Sequence, residues 1–163
     1  MPNVNSNLQR LNLHGTRNMK AFRIVIADDD EDDYFLIREA LEKFVKHTID
    51  SVNNGQQLLD YLHHKIKSHE ILPDLILLDI NMPNVNGIDA LKLIRSSEIL
   101  KCLPVLMYST SNDPDQIELC KQLGANGFIS KAGNHNEMTR NVNTINIFLN
   151  DLAAQPLKQL FIR

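Results

Sequence analysis

This chain has no tryptophan and only two cysteines, Cys102 and Cys120. Neither cysteine belongs to a CxxC pair. That excludes a cysteine-built zinc or redox motif and reads as two reduced, mostly buried thiols in a cytosolic protein. No apolar stretch reaches the roughly 20 residues that a membrane span needs. Basic residues are not in excess: 17 Lys and Arg stand against 20 Asp and Glu. The net charge of −3 therefore offers no general cationic field to nucleic acid or acidic membranes. The Asn-rich amino terminus lacks the apolar core of a secretory signal, and residues 1–19 read as a flexible polar lead-in. A 43% apolar content over 163 residues suits one domain with an ordinary core. That domain is expected over 20–154, with 155–163 as a tail.

The acidic run Asp28-Asp29-Asp30-Glu31-Asp32-Asp33 follows a short β-type stretch, Arg23–Ala27. Carboxylates crowded where an apolar strand ends repel one another, and a cation among them relieves the repulsion. A second apolar stretch, Leu75–Asp79, also ends in an acid. Between and beyond these, the spacing predicts helices over Glu31–Val45, Gln56–Lys67 and Ile88–Leu100. Phe35, Ile37, Leu41, Phe44 and Val45 are expected on the apolar side of the first. A fourth helix opens at Asp113-Pro114 and ends at Gly124, because proline fits a first turn. Asn134 with Glu137 resembles a capping box that opens a last helix with Met138, Val142, Ile145, Leu149 and Leu152 as its buried stripe. Ile49–Val52, Pro104–Tyr108 and Gly127–Ser130 complete the strands.

Five strands alternating with five helices imply a doubly wound α/β fold, with a five-stranded parallel sheet and right-handed crossovers. The site then lies outside the carboxyl ends of the strands. That edge collects Asp28, Asp29, Asp79, Ser109 and Lys131. Hard oxygen donors suit Mg²⁺, a lysine and a hydroxyl suit phosphoryl oxygens, and an aspartate among them is a candidate nucleophile. Each residue also has a plainer role, such as strand-end cap, helix start, turn cap or surface lysine. The run Asp30–Asp33 is read mostly as a solvated helix start. His63, His64 and His69 read as exposed histidines and not as a metal cluster.

The ordered motifs Ile24-Val25-Ile26-Ala27-Asp28-Asp29-Asp30, Pro73–Pro83 with Gly87, Pro104–Thr110 and Gly127–Lys131 resemble the receiver domains of two-component response regulators. The likeness covers about Phe22–Leu152 and implies the flavodoxin-like (CheY-like) form of the fold. It implies Asp79 as phosphoacceptor. Asp29 would be a direct Mg²⁺ ligand, Asp28 would act through water, and Asn81 would offer its backbone carbonyl. Ser109 and Lys131 would hold the phosphoryl group, with Ser109 and Phe128 as switch residues. Asn81 and Ser111 would flank the path of a hydrolytic water and set the signal lifetime. No enzyme activity is implied beyond the domain's own phosphotransfer and dephosphorylation. The implied partners are a histidine kinase or phosphotransfer protein, and a downstream protein target or phosphorelay member. A homodimer through the last helices, the fifth strand or the tail is a further option. With no DNA-binding module expected, direct nucleic-acid contact is not.

One departure stands out. Ala132-Gly133 follows the lysine where the family usually has proline, so a trans peptide and a reshaped loop are expected. The missing proline and the Ser109-Thr110-Ser111 segment resemble the stand-alone receivers that serve phytochrome-type kinases. Two other classes remain open from the residues alone. Asp28-x-Asp30 has the spacing of a haloacid-dehalogenase-type phosphatase, but Glu31 and the short chain fit it poorly. A receiver used as a phosphate-independent binding module is the other. In the tail, Leu157, Leu160, Phe161 and Ile162 suit either docking on the domain or a partner contact.

Overall fold

The computed structural model describes residues 20–43 and 47–154. The five strands are β1 (Arg23–Ala27), β2 (Thr48–Val52), β3 (Leu75–Leu78), β4 (Val105–Ser109) and β5 (Gly127–Ser130). They alternate with α1 (Glu31–Glu42), α2 (Gly55–Lys67), α3 (Gly87–Ser96), α4 (Pro114–Gln122) and α5 (His135–Ala154). The sheet order is β2-β1-β3-β4-β5 and every pairing is parallel. The order reverses between β1 and β3, so the ends of those two strands form the switch-point crevice of an open α/β sheet.

Alternation along the strands divides the core in two. Val25, Ile76, Leu78, Val105 and Met107 face α2, α3 and α4 through Leu58, Leu62, Leu91, Ile94 and Cys120. Ile24, Ile26, Leu75, Leu77, Leu106 and Tyr108 face α1 and α5 through Ile37, Leu41, Val142, Ile145 and Leu149. Every residue of β3 is buried, as a central parallel strand covered on both sides requires.

Several expectations shift at this level. In α1 the buried stripe is Ile37 and Leu41, while Phe35 is 57% exposed. Two residues from Ile37 is about 200° around a helix, so Phe35 points to solvent. Phe44 and Val45 lie outside the described residues. α3 ends at Ser96 and not Leu100, because the Ser97 hydroxyl accepts from the Leu100 N–H at 3.3 Å and its carbonyl accepts from Lys101. Cys102 is exposed and only Cys120 is buried. The chain near Cys102 is a surface turn between α3 and β4.

Candidate functional site

Backbone pairing brings the acidic strand ends together. The Asp28 N–H donates to the Val52 carbonyl at 3.0 Å, and the Asp79 N–H to the Ala27 carbonyl at 2.9 Å. On the far side, the Lys131 N–H donates to the Ser109 carbonyl at 3.0 Å. β1, β3 and β5 are therefore each followed directly by a residue of the site, while Ser109 is the last residue of β4 itself.

Two glycines allow the loop after β3 to lie flat against the site. A Cβ on Gly87 would stand 1.9 Å from the Asp79 carbonyl oxygen, and one on Gly55 would stand 2.6 Å from the Val85 carbonyl oxygen. The Gly87 N–H donates to the Ile80 carbonyl, and the Gly55 N–H to the Val85 carbonyl. Asn84 takes the left-handed conformation, φ 63°, which asparagine tolerates better than most residues.

Asp28, Asp29 and Asp79 offer carboxylate oxygens that all lie within 4.8 Å of one another. Asp28 and Asp79 are buried and Asp29 is exposed, so the trio opens to solvent on one side. The Lys131 side chain is 6% exposed, with Nζ 2.8 Å from Asp28 Oδ2 and 2.9 Å from Asp79 Oδ2. It also meets Asp33 Oδ2 at 2.9 Å. Burial pushes the Asp28 carboxyl above its ordinary value, against the opposing pull of Lys131 and the Asp30 N–H. Burial pulls the Lys131 ammonium down, but Asp28, Asp33 and Asp79 together outweigh it and hold it above the ordinary lysine range.

The trio fits a hard divalent cation. Its donors are all oxygen, and carboxylates outnumber the one ammonium beside them. Asp28 Oδ2 is a buried oxygen in ion-pair range of Lys131 but without an aligned hydrogen bond, so it retains an unused lone pair.

The other expected residues fall around this centre in different ways. The Asn81 N–H donates to Asp79 Oδ1 at 3.3 Å. Ser109 is fully buried at the end of β4, its hydroxyl accepting from the Ser111 N–H at 3.4 Å. The Ser111 hydroxyl donates to Gln116 at 2.8 Å. Gln116 and Asn81 line one cleft of about 570 Å³ beside the trio. Phe128 pairs in register with Met107 and packs, half-buried, on the α2–α4 side of the sheet, away from Lys131.

Asp30 matches the helix-start reading: its side chain accepts from the Asp32 and Asp33 N–H groups as the cap of α1. Asp33 does not. Its carboxylate reaches Lys131. The signal for it was present in the sequence. Asp33, Ile37 and Leu41 recur every four residues, which places Asp33 on the buried stripe of α1. Among the described residues no metal cluster involves His63, His64 or His69. His64 instead lies 3.6 Å from Glu70 on the surface.

The peptide bonds after Lys131 are trans, as expected from Ala132 in place of proline, and so are all others among the described residues. The capping box forms in an altered way: the Glu137 N–H donates to Asn134 Oδ1 at 3.0 Å, while the Glu137 carboxylate accepts from the Gly133 N–H at 2.7 Å. The small residues Ala132 and Gly133 line a groove of about 510 Å³ between α1 and α5, with Leu36, Met138 and Val142 as apolar walls.

Comparison with known proteins identifies the family. Residues 24–143 match the family described as response regulator receiver domain. The sensory/regulatory protein RpfC of Xanthomonas campestris pv. campestris is 30% identical over 115 residues. That match covers 69% of this chain but only 15% of RpfC. Among solved structures, the phosphorylated cyanobacterial phytochrome response regulator RcpA is 33% identical, with a TM-score of 0.73 over 80% of this chain and 95% of that one. The Mn²⁺-bound response regulator Rcp1 is 26% identical, with a TM-score of 0.70 over 78% of this chain and 93% of that one.

Proposed function

The chain belongs to the response regulator receiver family, and from that premise we propose that Asp79 is its phosphoacceptor. The observation that carries this reading is the buried Lys131 ammonium, which bridges Asp79 and Asp28 beside an oxygen-only trio. Receiver domains take a phosphoryl group on aspartate in two-component signalling and bind Mg²⁺ or Mn²⁺ at an acidic pocket. Here Asp28, Asp29 and Asp79 would hold Mg²⁺, with the Asn81 carbonyl as a further ligand. The cation supplies charge neutralisation between carboxylate and incoming phosphoryl group.

An Asp79 carboxylate oxygen attacks phosphorus in a phosphohistidine of a kinase or phosphotransfer protein. The new O–P bond forms as the P–N bond breaks, and the imidazole leaves with the electron pair and takes a proton from solvent. Little covalent chemistry falls to the protein, so positioning and charge do the work. Lys131 already donates to Asp79 and follows the charge onto the phosphoryl oxygens. The Ser109 hydroxyl, at the neighbouring strand end, turns to them as well. Drawing in Ser109 shifts the loop that starts α4, and Phe128 on that side of β5 repacks with it. Asn81 and Ser111 set how long the acyl phosphate survives.

The receiver domain spans 20–154, with 1–19 and 155–163 as appendages. It acts in the cytoplasm as a contact switch or relay, on a downstream protein or phosphorelay member. The likeness to RcpA favours a phytochrome-type kinase as donor. A homodimer through α4, α5, β5 or the tail is one form the output takes; the tail itself lies outside the described residues. Among those described, no helix is long and apolar enough to cross a membrane.

The test is intact mass after incubation with Mg²⁺ and acetyl phosphate. Wild type gains one hydroxylamine-labile phosphoryl group, and Asp79→Asn gains none. An equal gain in Asp79→Asn removes Asp79 from the role.

A further inference from the structure

The Lys131 ammonium lies among three carboxylates: it donates to Asp33 and Asp79, each at 2.9 Å, and stands in ion-pair range of Asp28 at 2.8 Å. Two of these partners change during the proposed reaction. Asp28 belongs to the trio that can hold a cation, and Asp79 loses its carboxylate charge when it becomes an acyl phosphate. Asp33 is outside that trio. Its bond to Lys131 is the one that neither the cation nor the phosphoryl group removes.

Asp33 is also held in place from behind. Its N–H donates to Asp30 Oδ1 at 3.2 Å, so it sits in the capped first turn of α1. Ile37 and Leu41, both fully buried, fix that face of the helix against the sheet. The side chain is 35% exposed where it meets the nearly closed-off Lys131. Asp33 thus links the start of α1 to the end of β5 across 98 residues of chain.

We infer that Asp33 is a positioning residue, an anchor that keeps the Lys131 ammonium aimed at the acceptor carboxylate and then at the phosphoryl group bound there. This rests on Asp79 being the acceptor. Without the anchor, the lysine loses its one constant partner and spends less time directed at the reacting oxygens. A bare charge effect has the opposite sign. Removing a negative group beside an anionic phosphodonor lowers repulsion and speeds transfer.

The experiment compares full-length wild type, Asp33→Asn, Asp33→Glu and Asp79→Asn. Melting curves confirm folding, and Mg²⁺ affinity is taken by calorimetry. Phosphorylation rates are taken at saturating Mg²⁺ and phosphoramidate. Asp33→Asn is expected to bind Mg²⁺ within about twofold of wild type and to react about tenfold more slowly, the size of one charge-assisted hydrogen bond. Asp33→Glu restores most of that rate. A rate in Asp33→Asn at or above wild type overturns the inference and leaves Asp33 a helix-start acid. A slower rate with weakened Mg²⁺ binding also overturns it, because Asp33 is then part of the cation site. If wild type itself gains no phosphoryl group, the acceptor reading fails and this inference falls with it. If wild type and Asp33→Asn react alike, the anchor alone is refuted.

Discussion

A hydrogen where other residues carry a methyl decides how close α3 comes to Asp79. The Cβ of an alanine at 87 would stand 1.9 Å from a backbone oxygen, which no rotamer change relieves. Gly87→Ala is expected to cost about 2 kcal/mol or more in chemical denaturation, the range of an overpacked site, and to weaken Mg²⁺ binding by displacing Asp79. A second residue-scale outcome concerns His47, which is buried and whose Nδ1 accepts from the Phe22 N–H at 3.2 Å. Burial holds its pKa below the ordinary 6.5. The unfolded chain therefore takes up the proton first. The stability carried by neutral His47 is complete above the unfolded value and is lost as pH falls through it toward the depressed one. Melting temperature should drop more steeply between about pH 7 and 5 in wild type than in His47→Gln; parallel slopes would count against this. At this scale the sequence was an uneven guide. Asp28, Asp79 and Lys131 were legible because strand ends on one edge of a parallel sheet must meet. Asp33 was hidden inside a run of like acids whose neighbours do cap a helix. Cys102 was misplaced because exposure in a short turn leaves no periodic trace.

The strands were legible as elements because buried parallel strands are continuous apolar runs, as Leu75–Leu78 shows. The start of α4 was legible too, because Asp113 before proline is a cap written in side chains; Asn54 and Asn86 also accept from first-turn N–H groups and start α2 and α3 one residue before the apolar spacing does. Helix ends were less so. α3 stops four residues early through a serine hydroxyl, a local competition that apolar spacing does not encode. α5 tests the capping account. Its box ties Glu137 to Gly133, directly beside the lysine loop. Asn134→Ala should lower stability by about 1 kcal/mol in urea unfolding. Glu137→Gln, which keeps a hydrogen-bonding side chain, should cost less. An unchanged midpoint in Asn134→Ala would show that α5 is held by Val142, Ile145 and Leu149 alone.

At the scale of the molecule, the strand order does what no single motif does. It puts β1, β3, β4 and β5 side by side, so that a cation-binding end, an acceptor, a hydroxyl and an ammonium converge from four separate segments. The central claim is that Asp79 accepts the phosphoryl group. It is tested most directly by phosphorylating wild type with acetyl phosphate and Mg²⁺, reducing the acyl phosphate with borohydride and mapping the peptides. An aspartyl phosphate is converted to homoserine by this treatment. The account predicts homoserine at position 79 alone. Homoserine at position 28 would point instead to the phosphatase-type nucleophile that the Asp28-x-Asp30 spacing allows, and would contradict the assignment.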